Sequence, residues 1–368
     1  MYKSLFTQNK KNIEGLFTES FLNQVPIANI MQIINNYKNQ LGQLKSVERT
    51  SDGYLLIFEK GEAPSKINVN QNNKIAGLWF GNITLYEDDY DQILSEFKKL
   101  DSDISISILK DNETKILTYN ENKPMAVGST FKLYVLKALY EQIEKTEKSW
   151  TDIVRLDEDN ISLPSGQLQN WPIGSPLTVK SLANLMISIS DNTATDHLID
   201  YVGRNNIENL VTSKNIPFLK TIELFQLKYG ANKEIQNQYI EGNISKKRSI
   251  LEEITDIDVN INNITGDPVF INDLEWFFST NELSTLIYEL KDAEELFINS
   301  GLVAKEKWHK AGYKGGSEAG VLQYTHLLQK SSESSIYTIS VTANSDSGVN
   351  TEIITKLTTR LISLIASE

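Results

Sequence analysis

The chain has 368 residues, 40% apolar and 23% charged, enough for two packed domains and too ordered in composition for wholesale disorder. Thirty-six Lys plus Arg against 48 Asp plus Glu leave a formal charge of -12, which argues against nonspecific nucleic-acid binding, because phosphate requires basic patches. The lack of cysteine excludes disulfides, thiolate catalysis and sulfur-built zinc sites, without fixing a compartment.

No stretch has the apolar length of a membrane span, so no transmembrane segment is expected, and the first twenty residues lack a signal-peptide core. Residues 1 to about 88 read as a small α+β domain. Pro26 opens a helical pattern through Ile27, Ile30, Met31, Ile34, Tyr37 and Leu41, closed near Gly42. Strand-like runs follow at Tyr54 to Phe58, around Ile67 and Val69, and at Ile75 to Phe80, with turns at Gly61 and Asn70 to Asn73.

Tyr86 to Asp91 is acidic and turn-like, and a second domain over 89–368 is expected after it. Ile93, Phe97 and Leu100 mark a helix. Ile104, Ile106 and Ile108 alternate with Ser105 and Ser107, and Ile116 to Tyr119 follows the Asp111-Asn112 turn, which predicts a hairpin with one face buried. Residues 129 to about 300 read as mostly helical. Strands return at Tyr313, Val321 to Leu328 and Ile336 to Ala343, and a helix over Ile353 to Ile365 closes the chain.

Three short segments carry chemistry. Ser129-Thr130-Phe131-Lys132 sets a hydroxyl and an amine three residues apart, close to one helical turn, so both can face one cleft. Serine is a poor nucleophile until a base takes its proton, and lysine serves if burial or nearby positive charge lowers its pKa. Ser107 and Lys110 share that spacing, but a strand would point them to opposite faces. Ser190-Asp191-Asn192 follows the helical pattern Leu182, Leu185, Met186 and Ile189. Lys314-Gly315-Gly316-Ser317 precedes the apolar run from Val321.

In that order the three segments resemble the signature of the class A β-lactamase and penicillin-binding protein superfamily. The resemblance covers roughly residues 90 to 368 and implies a β-lactamase-like fold: an antiparallel sheet flanked by helices, α+β or α/β in class, with a mostly helical insertion over 129–300. The pattern Phe17, Phe21-Leu22, Val25-Pro26, with Ile75 to Leu78, looks like the N-terminal domain of some β-lactamase-like proteins, one of them from the clavulanic acid biosynthetic cluster. That domain resembles a cystatin-like or steroid-isomerase-like cone, and is expected to pack against the catalytic one.

The resemblance implies roles for individual residues. Ser129 would attack a carbonyl and form an acyl-enzyme, and Lys132 would take or relay its proton. Ser190 would pass the proton to the leaving nitrogen. Asn192 would bond the substrate amide or orient Lys132, while Asp191 satisfies local backbone donors. Lys314 would keep the site electropositive and draw in an anionic substrate. Gly315 and Gly316 would let the substrate approach the edge strand, and the N–H groups of Ser129 and Ser317 would form the oxyanion hole. Lys310-Ala311-Gly312 is a competing register for the last segment.

Departures from the family pattern bear on turnover. Gly315 offers no hydroxyl to a substrate carboxylate, for which Ser317 could compensate, and Val321 to Leu328 carries no arginine. The Glu-x-x-Leu-Asn context of the family's deacylating glutamate is absent. In its region, Phe218, Leu219, Ile222 and Phe225 recur at helical spacing, so Pro217 to Phe225 reads as a packed helix, with Glu223 a surface residue and weak candidate base. Residues 226 to 275 are long enough for a lid.

His197, His309 and His326 show no metal spacing, so no metal or cofactor is expected. The expected function is a serine hydrolase acting on a small-molecule β-lactam, amide or ester, with slow deacylation. Two alternatives are a D-alanyl-D-alanine peptidase or penicillin-binding esterase, and a non-catalytic binding protein. A periplasmic or secreted location, with a leader removed, is favoured over the cytoplasm.

Overall fold

The alternating Ile and Ser residues from position 103 form the strand Asp103–Lys110 of a five-stranded antiparallel sheet. In sheet order its strands are Lys310–Glu318, Val321–Gln329, Ile336–Asn344, Asp103–Lys110 and Thr114–Tyr119. The expectation of one buried face fails here, since Ser105 and Ser107 are as buried as the isoleucines. The helix Thr280–Glu289 covers the serine face, where Ser105 Oγ meets Thr280 Oγ1 at 2.7 Å. Alternation in this strand separates apolar from polar packing, both of them inside.

The computed structural model describes residues 1–86, 88–163, 165–259, 264 and 266–367. Glu87, in the expected Tyr86 to Asp91 turn, and five residues of the expected 226–275 lid lie outside them. The rest of that stretch includes the helices Lys233–Glu241 and Ile244–Glu253. Among the described residues, no helix is long and apolar enough to cross a membrane.

The chain divides into two units, Leu100–Thr351 and Met1–Lys99 with Glu352–Glu368. In the larger unit, the helices Lys132–Glu144, Val179–Ser188 and Asn192–Val202 pack around one apolar cluster that includes Leu136, Leu182 and Leu198. These three leucines are fully buried, and truncating one to alanine costs ~2–5 kcal/mol.

The smaller unit opens with three short helices and then Ile27–Leu41, ended by Gly42 at φ 78°. Its buried residues Ile30, Ile34, Tyr37 and Leu41 recur at helical spacing and join Leu56, Phe58, Ala63 and Ile75 in one core. Those last four lie on the antiparallel strands Gly53–Phe58, Gly61–Val69 and Ile75–Phe80, with Leu44–Thr50 outside them. The division differs from a boundary at 88, because Tyr90–Phe97 and the closing helix Thr351–Ser367 both fall largely in the smaller unit. Buried Arg360 on the closing helix explains this: it donates to both Asp88 and Glu96 at 2.6–2.8 Å.

Candidate active site

Ser129 lies in a single 3-10 turn, Gly128–Phe131, that runs directly into the helix Lys132–Glu144. Its neighbours are tied inward. Thr130 Oγ1 donates to Gln323 Oε1 at 2.6 Å, and the Phe131 ring stacks on Trp276 at 3.7 Å between centroids. Gly128 adopts φ 48°, a left-handed conformation that suits glycine, and Val127 N–H is held by Trp276 O at 3.1 Å. With both flanks anchored, Ser129 lines a cleft of about 820 Å³.

Lys132 is fully buried one turn further on. Its ammonium donates to Ser190 O at 2.6 Å, Ser190 Oγ at 3.1 Å and Asn192 Oδ1 at 2.6 Å. Burial is the main cause that holds its pKa well below the usual lysine range, and the Lys314 charge adds to it, against Asp196 and Asp191. Lys132 therefore has a fixed geometry and gives up its proton more readily than an exposed lysine does.

Ser190 has φ 58°, uncommon for a non-glycine residue, and the surroundings enforce it. Its carbonyl accepts from Lys132 and from Ser165 Oγ, the latter at 2.6 Å. Asp191 caps the helix Asn192–Val202 through Ala194 N–H at 2.8 Å, and also accepts from Gln167 and Leu168 N–H. Gly166, at φ 109°, passes so close that a Cβ would meet Asp191 Cγ at 2.3 Å. Asn192 has Oδ1 on Lys132 and Nδ2 on Leu163 O at 2.9 Å, so its side chain orients the lysine.

Lys314 reaches the same hydroxyl from the edge strand. Its Nζ lies 3.1 Å from Ser190 Oγ and 2.6 Å from Gly315 O, and burial pushes its pKa down to about 7. Lys310, in the competing register, pairs instead with Asp292 at 2.7 Å. Gly316 packs against the Gly128–Phe131 turn: a Cβ there would meet Val127 O at 2.1 Å and Ser129 N at 2.6 Å. Across the same contact, a Cβ on Gly128 would lie 3.2 Å from Ser317 N, so the Ser129 and Ser317 amides sit at one narrow junction. A Cβ on Gly315 would collide with Tyr313 Oη.

The fold thus brings Ser129, Ser190, Asn192, Lys314, Gly315, Gly316 and Ser317 to one cleft, with Lys132 buried behind Ser190 and Asn192. The carboxylates near it are engaged elsewhere. Glu223 pairs with Arg204 and caps the helix Thr221–Phe225 by accepting Lys220 N–H at 2.7 Å. Buried Asp196 accepts from Thr221 N–H and Oγ1 and from Ile222 N–H at 2.7–2.9 Å, and burial pushes its pKa up to about 7. Neither the Asp196–Thr221 bond nor the Thr130–Gln323 bond has a local sequence signature, since the partners are far apart in the chain.

The histidines stand apart from this chemistry. His197 Nε2 accepts from Asp157 N–H at 2.8 Å, and His309 is exposed. His326 is buried against the Tyr313 ring, and burial pushes its pKa down to about 3, so it is neutral.

Residues 86–249 match the model of the Beta-lactamase enzyme family. No curated protein sequence matches the chain. Among solved structures, a β-lactamase from Sphaerobacter thermophilus DSM 20745 aligns with a TM-score of 0.52 at 17% identity, covering 76% of this chain and 99% of its own. PBP-A aligns with a TM-score of 0.52 at 14% identity, covering 76% and 96%. A variant of the last common ancestor of Gram-negative bacteria β-lactamase class A aligns with a TM-score of 0.51 at 12% identity, covering 76% and 98%. The family match over 86–249 and the shared fold make this chain similar to the class A β-lactamases and penicillin-binding proteins, with a β-lactamase-like fold and a smaller α+β unit.

Proposed function

We propose that the protein is a serine hydrolase that forms an acyl-enzyme at Ser129 on a β-lactam or a related amide or ester. The observation that carries this reading is Ser190 Oγ, held 3.1 Å from each of two buried lysine amines, in the cleft that Ser129 lines. Neutral Lys132 takes the Ser129 proton as Oγ bonds to the carbonyl carbon. The N–H groups of Ser129 and Ser317 stabilise the oxyanion. As the intermediate collapses, the C–N or C–O bond breaks, and the proton passes through Ser190 to the leaving atom, with Lys314 favouring the transfer.

Hydrolysis of the acyl-enzyme needs a base to activate water. Asp196 and Glu223 are occupied by Thr221 and Arg204, and Glu318 pairs with Lys228. Lack of such a base slows the second step by ~10²- to 10⁴-fold, which favours a penicillin-binding esterase or D-alanyl-D-alanine peptidase reading over a fast β-lactamase. A PBP-A point variant is known as an acyl-enzyme complex with penicillin G. Intact mass and peptide mapping after penicillin G or fluorophosphonate treatment test the proposal. An adduct on Ser129, formed in a burst and slow to clear, is expected. Label on another serine overturns it.

A further inference from the structure

Among the described residues that line the cleft, Lys314 is the sole cation and Glu318 the sole carboxylate. The undescribed residues include no lysine or arginine. Lys314 itself is only 2% exposed, and its ammonium is occupied by Ser190 Oγ and Gly315 O. The adjoining strand Val321–Gln329 adds no lysine or arginine: the neutral hydroxyls of Ser317 and Tyr324 line the cleft, and Gln323 and Thr325 are fully buried. Gln323 binds Thr130, Thr325 and Ser340, so it has no donor left for a ligand.

Lys314, Gly316 and Glu318 alternate along one strand and share a face. Glu318 therefore stands two positions beyond the glycine that packs on Ser129. It pairs with fully buried Lys228, which also holds fully buried Glu275 at 2.5 Å. Burial, with the Glu275 charge beside it, pushes the Glu318 pKa well above the usual carboxylate range, so this end of the cleft is neutral while Glu318 holds its proton and net negative once it is lost. In neither state does it attract an anion.

We infer that this cleft selects acyl substrates that carry no carboxylate beside the scissile bond, such as neutral esters and amides, over carboxylate-bearing β-lactams and D-alanyl-D-alanine termini, which takes the esterase arm of the reading above. The inference rests on acylation at Ser129, and it replaces the expectation that Lys314 draws in an anion. Lys314 serves Ser190 instead.

Penicillin G and its methyl ester make a direct test, since they differ only in that carboxylate. Intact mass against time gives both acylation rates on the full chain. The methyl ester is expected to react at least as fast as the acid, whereas a site that anchors the carboxylate would lose ~10-fold or more on esterification. Added salt should not slow acylation by penicillin G, because no exposed cation draws it in, and should leave the methyl ester unchanged. Glu318→Gln, with Lys228 still paired to Glu275, should raise the rate ratio of acid to ester only at pH values where Glu318 is ionised, and lower it at none. p-Nitrophenyl butyrate against mono-p-nitrophenyl succinate repeats the comparison without a lactam. Faster reaction of the anion in both pairs, or a rate that falls with salt, overturns the inference and leaves the nucleophile intact. Failure of every ester, lactam and fluorophosphonate to label Ser129 overturns both.

Discussion

Two buried lysine sites in the larger unit have opposite outcomes. Lys132 and Lys314 meet neutral oxygens from Ser190, Asn192 and Gly315, and their pKa values fall. Lys228 is equally buried, but Glu275 and Glu318 face it, and its pKa rises despite the same desolvation. Burial makes an ammonium costly in all three places. The charge of the partner decides whether the proton leaves, so one site can do proton transfer and the other can only hold structure together.

The largest expected effect breaks the reactive half of this contrast. Lys132→Ala should cut acylation of Ser129 by ~10³-fold or more at neutral pH, measured by the rate of adduct formation. Retention of the normal rate would assign the base elsewhere. Lys228→Met attacks the other half. It leaves two carboxylates buried without a cation, so urea unfolding should show a loss of ~3–5 kcal/mol, with the acylation mechanism unchanged in kind.

The sign of the pKa shifts gives a pH test. Lys314 titrates near pH 7 when folded and near 10.5 when unfolded, so the unfolded chain binds the extra proton between those values. Its burial thus costs most below pH 7, and stability recovers as pH rises from 7 toward 10.5. Lys314→Met should accordingly raise Tm more at pH 7 than at pH 10, while acylation through Ser190 slows. An equal Tm change at both values would mean that Lys314 stays charged. The smallest effect concerns Glu223, which pairs with Arg204 and caps a helix. Glu223→Ala should cost ~1–2 kcal/mol in unfolding and change the rate of adduct loss by less than ~2-fold. Specific loss of turnover would make Glu223 the deacylating base.

How much of this was legible in the sequence depends on distance along the chain. Ser129 and Lys132 lie one turn apart, and Ser190 to Asn192 and Lys314 to Ser317 are contiguous, so short patterns suffice to propose them. The Lys228, Glu275 and Glu318 cluster joins three separate segments, each of which reads alone as a solvated charge. The helix Ile27–Leu41 was legible from its apolar spacing and Gly42. Leu44–Thr50 was not, since it forms an outer strand of the sheet with no buried residue to leave a period. Ser105 and Ser107 misled for another reason: period two reports a change of side-chain type, and a helix covering the second face makes that a change of packing partner.

Gly316 has a consequence for how the protein becomes competent. Ser129 and Lys132 are contiguous in the chain, but the turn that carries Ser129 is held by Trp276 and Gln323 from distant segments. The Ser317 amide, proposed as the second oxyanion donor, meets the Ser129 amide only when the strand Lys310–Glu318 docks closely enough for a bare glycine to touch Val127 and Ser129. The proposed nucleophile and its proposed oxyanion pocket are thus made by chain segments synthesised far apart in time, so on that reading reactivity toward an acylating reagent reports finished assembly.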